Sequence, residues 1–182
     1  MLPQPKFHEI EEAINASIDR GSDGIIAYRL TPYTQFASDW VFYRKMLSPN
    51  ESVEEAVDEL GHYICPQKKQ ASDFSKALML LDKWWREKEM DDLKESVRLL
   101  NATRTKSPTN TNHLADAAEI LLMLAEHVQK KESIEDFVPK VQKKMNSMPI
   151  FQGFTIDQIW QGTRSKVFLT PRVEGWIQRI SK

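Results

Sequence analysis

One cysteine, Cys65, and six glycines are spread over 182 residues. A single thiol rules out an internal disulfide and fits a reducing cytosol. Its simplest role is that of a small apolar core residue. With no tight glycine cluster before a helix, a phosphate-cradling loop is not expected, and neither a P-loop, a Gly-x-Gly-x-x-Gly nor a Gly-x-Ser-x-Gly is present. Apolar runs such as Ala77–Leu81 are far too short to cross a bilayer. Met1–Lys6 lacks the charged-then-apolar order of a signal peptide, which predicts a cytoplasmic chain without a membrane partner.

Metal chemistry is equally thin. Glu59-x-x-His62 resembles half of a di-metal carboxylate site, but it has no second pair and contains Gly61. His8 with Glu12, and His113 with Asp116, have helical spacing without a third ligand. The adjacent acids Glu54-Glu55 and Asp91-Asp92 would point about 100° apart on a helix, so neither makes an acid–base couple. No cofactor is implied and no enzyme is expected.

What the chain does have is charge sorted along its length. Residues 1–60 hold 5 Lys/Arg against 11 Asp/Glu, and residues 139–182 hold 8 against 2, within a formal total of −1. Sorted charge gives a molecule one acidic and one basic end, and such ends select what it docks against. The balance of 28% charged and 41% apolar residues is that of a globular chain. Its length suits one domain that buries about 70% of its unfolded surface.

Helical periodicity predicts an all-α bundle of about seven to nine helices with a small C-terminal helical element. Phe7, Ile10, Ile14 and Ile18 form the first stripe, which ends at Gly21–Gly24. Ile25–Leu30 is the one place where a strand is allowed. Thr31-Pro32 reads as a helix start, with Phe36, Trp40, Tyr43 and Leu47 at helical spacing after it. Ser48-Pro49 repeats that start, and Glu51 is placed for a capping box. Val53, Val57, Leu60 and Ile64 follow, interrupted by Gly61 and ended by Pro66.

A strong helix is expected over about 72–89, with Phe74, Ala77, Leu78, Leu81 and Trp85 on one face. Asp91-Asp92 starts another, with Leu93, Val97 and Leu100 inward. The segment 101–112, NATRTKSPTNTN, has no large apolar side chain and reads as a mobile linker between an N-terminal part, 1–100, and a C-terminal part, 113–182, of one compact domain. A very apolar helix is expected over 113–131, then a start at Ser133, with Pro139 kinking or restarting the pattern. Further starts are expected at Thr155 and Thr170-Pro171.

The basic clusters carry the functional signal. Lys83, Arg86 and Lys88 flank Trp84-Trp85. Lys140, Lys143 and Lys144 share a helix, with Arg164 and Lys166 near Trp160, and Arg104 and Lys106 lie in the linker. Cations interleaved with aromatics suit a nucleic-acid backbone and its stacked bases. A solvated helix face with core tryptophans is the alternative. The run Ala77-Leu78-Met79-Leu80-Leu81-Asp82-Lys83-Trp84-Trp85-Arg86-Glu87-Lys88, continuing through Leu93 and Val97 to Asn101–Lys106, resembles a segment of the small helical subunits of CRISPR Cascade effector complexes. The resemblance implies a non-enzymatic bundle that contacts neighbouring subunits and holds target and displaced DNA strands through Lys/Arg. Two readings follow. One is a non-catalytic subunit of a nucleoprotein complex, with protein subunits and nucleic acid as partners. The other is a protein–protein adaptor without nucleic acid.

Overall fold

The stripe of Val53, Ala56, Val57 and Leu60 can be buried only if its helix starts cleanly at the preceding polar residue, and Ser52 supplies that start. The Glu55 amide donates to Ser52 Oγ at 3.1 Å, and the Ser52 amide donates to the Glu55 carboxylate at 2.8 Å. These reciprocal bonds satisfy two amides that the first turn would leave open. The capping box therefore lies one turn later than the Ser48/Glu51 pair that the sequence suggests.

The computed structural model describes residues 5–25, 36–105, 110–130 and 134–148. Among the described residues there are seven helices and no strand: α1 Phe7–Asp19, α2 Phe36–Leu47, α3 Val53–Ile64, α4 Lys68–Glu87, α5 Met90–Ala102, α6 Asn110–Lys130 and α7 Ile134–Asn146. The helix starts expected at Thr31, Ser133, Thr155 and Thr170, and the doubtful stretch 26–30, lie outside the described residues. Each helix packs chiefly on its neighbour in sequence, and α1 also touches α3. One cluster of buried side chains runs from Phe7 to Met148, with Trp84, Phe74, Leu78, Leu81, Leu100 and Leu121 fully enclosed.

Several local expectations change. Gly61 does not interrupt α3. It lets α3 and α4 approach, because a Cβ there would run into Ser75 Oγ and stand 2.7 Å from the Ala71 carbonyl oxygen. Ser75 Oγ uses that closeness to donate to Val57 O and Ala71 O. The strong helix starts earlier than expected, at Lys68, and ends at Glu87, where Lys88 takes a left-handed conformation with φ 62° and its amide donates to Trp84 O at 2.8 Å. Trp84 rather than Trp85 is the fully buried member of the pair. Pro139 sits within α7 without restarting it. Helices α5 and α6 enter the expected linker from both sides, as far as Ala102 and from Asn110. Across the gap, the Thr105 amide donates to Asn112 Oδ1 at 2.9 Å and Asn112 Nδ2 donates back to Thr105 O at 3.0 Å.

Candidate interaction surface

Four of the cations singled out from the sequence, Lys83, Arg86, Arg104 and Lys144, are already held by this chain's own carboxylates. Lys83 Nζ lies 2.8 Å from Asp92 and 3.7 Å from Glu87, and these acids raise its pKa, the hydrogen bond to Asp92 most of all. Arg86 reaches the buried Asp82 at 3.4 Å and Glu87 at 3.8 Å. Lys88 folds back over the tryptophan pair. Its Nζ stands 4.5 Å from the Trp85 ring centre and 5.1 Å from that of Trp84, and it donates to Trp85 O at 2.9 Å. Burial there pushes the Lys88 ammonium below its ordinary pKa. The two rings meet edge to face at 4.7 Å. The aromatic–cation cluster is thus closed on itself, with neither face of the buried Trp84 ring open for a base to stack on.

Arg104 is the most constrained of the set. It contacts Asp116 at 2.6 Å, Glu119 at 3.2 Å and the Asn101 side-chain oxygen at 2.6 Å. Glu119 also holds Lys144 at 2.6 Å. This network ties the end of α5 to α6 and α6 to α7. Burial raises the Glu119 pKa, but hydrogen bonds from Lys144 and Asn101 and the charges of Lys144 and Arg104 outweigh it, so the carboxyl titrates below its ordinary range.

Lys140 and Lys143 are both exposed on α7. They and the bridged Lys144 share that helix as expected. The structure does not bring the 83–88 group together with them into one described basic patch; the first closes the α4–α5 turn and the second lies on α7. Lys106, Arg164 and Lys166 lie outside the described residues.

Other polar groups that looked like loose ligands have structural work. Asp82, buried between α1 and α4, accepts the Phe7 amide at 2.9 Å and the His8 ring nitrogen at 2.5 Å, so α4 caps α1 from outside. His62 pairs with Asp58 at 3.5 Å. No group of three His, Cys, Asp or Glu placed to hold a metal occurs among the described residues. Cys65 is buried, and burial raises its thiol pKa, as suits a core residue. No helix among the described residues is long and apolar enough to cross a membrane.

Sequence spacing alone missed what α2 does with its aromatics. The buried side of α2 is Ala37, Val41 and Lys45, one turn apart. Lys45 is enclosed because its ammonium donates to Glu11 at 2.8 Å, Pro49 O at 2.7 Å and Glu51 O at 2.5 Å. That choice of inner face leaves Trp40, Tyr43 and Leu47 as a stripe on the other side. Tyr43 is 62% exposed and Leu47 80%. Tyr63 of α3, 78% exposed, stacks on Trp40 at 5.7 Å, and Trp40 Nε1 is fixed by Ala56 O at 2.8 Å. Met46 adds to the apolar area beside Leu47. No local signal in the sequence marks Lys45 as inward, because its neighbours are Arg44 and Met46 and the carboxylate that holds it is Glu11 of α1; with Lys45 inward, Tyr43 and Leu47 turn outward.

Comparison with protein-family models, curated proteins and solved structures finds no match for this chain.

Proposed function

We propose that the chain is a non-catalytic helical subunit that acts by docking on another protein within a larger assembly. The observation that carries this reading is the aromatic stripe of α2 and α3. Tyr43, Leu47 and Tyr63 stay largely in water although the molecule has an extensive apolar core. Tyr and Trp are the residue types that concentrate binding energy in protein interfaces, and here two exposed Tyr flank the half-buried Trp40. Trp40 is already anchored by its indole hydrogen bond, so little side-chain entropy is lost when a partner covers it.

The test is affinity capture of the full chain from its native cells, in parallel with a Leu47→Ser, Tyr63→Ser variant. The expected result is a partner protein recovered in fixed stoichiometry by the unaltered chain and lost by the variant, with helical content unchanged. Recovery of the same partner by both would remove the stripe from the reading.

A second reading, as a subunit that also holds nucleic-acid backbone, is favoured by the exposed Lys140 and Lys143 of α7 and by the resemblance of residues 77–106 to Cascade small subunits. Lys143 lies outside the Arg104–Asp116–Glu119–Lys144 network. For Lys83, Arg86, Arg104 and Lys144, phosphate has to compete with an acid already in place. Nucleic acid that co-purifies and leaves with added salt is its signature.

A further inference from the structure

We draw no further inference here: the strongest candidate, the exposed aromatic face of α2 and α3 around Tyr43, Leu47 and Tyr63, already belongs to the docking reading above, and nothing in the structure shows what covers it.

Discussion

Leu81 and Leu121 were legible from spacing alone, and both are fully buried in the common core. Truncation of either to alanine is expected to cost about 2–5 kcal/mol, lost transfer energy plus a cavity in a close-packed interior. Chemical denaturation of each variant checks this. Gly61 was misread, because a glycine inside a helical pattern looks like an interruption when only propensity is weighed. Its role depends on Ala71 and Ser75, which are distant in sequence from it by more than two turns and belong to another helix. Alanine at 61 gains helix propensity of up to about 1 kcal/mol but collides with Ala71 O, which is backbone and cannot rotate away. The collision should win, and Gly61→Ala should destabilise by about 1–3 kcal/mol, as overpacking does. Adding Ser75→Ala should recover only part of the loss, since it relieves the hydroxyl and not the carbonyl. The exposed positions Tyr43 and Leu47 were hidden for a related reason. Spacing shows that residues share a face but not which way the face turns, and the buried ammonium of Lys45 settles that.

Helix types and cores were readable because amphipathic stripes of period near 3.6 recur along the chain. Their ends were less so. The capping box moved from Ser48 to Ser52, α4 gained a turn at its start, and the polar segment after Leu100 proved to be partly helix. Side chains of Asn, Thr and Arg favour a loop when nothing else is near. Here Arg104 meets Asp116 and Glu119, which belong to α6, and no local rule contains that meeting. The network predicts a pH response. Because the Glu119 carboxyl titrates lower in the folded chain than it does unfolded, its stabilisation is complete above the ordinary carboxylate pKa. It is lost as pH falls through the lowered folded value. Glu119→Gln is therefore expected to reduce stability near neutral pH by on the order of 1 kcal/mol, a modest figure because water screens the half-exposed Lys144. The difference from the unaltered chain should shrink on acidification to about pH 4 and below. Denaturant midpoints measured across that range test it; a difference independent of pH would show that Glu119 acts through packing rather than charge.

Across the molecule, sorted charge turned out to mean two different things. On α2 and α3 the acids outnumber the cations, and Arg44 pairs with Glu51 and Glu59. From α4 to α7 several cations join helices: Lys83 to Asp92, Arg104 to Asp116, Lys144 to Glu119. Counting charges in the sequence cannot separate a cation that binds a partner from one that holds the fold, because the pairing is made by packing. This distinction sharpens the nucleic-acid test. Reversing Lys144 to Glu would set it against Glu119 and disturb the α6–α7 contact, so any loss of binding would be uninterpretable. Lys140→Glu with Lys143→Glu leaves that bridge intact. If the chain holds a phosphate backbone there, the double reversal should weaken single-stranded DNA binding equally across sequences, because backbone contacts carry no base code. It should also flatten the plot of log affinity against log salt by about 0.7 for each lost phosphate contact on a single strand. Both effects should appear with thermal stability within about 0.5 kcal/mol of the unaltered chain, as solvated substitutions allow. An unchanged slope and affinity, measured on the full chain together with the partner recovered by native capture, would make α7 an ordinary wet helix face and leave docking through the aromatic stripe as the reading that stands.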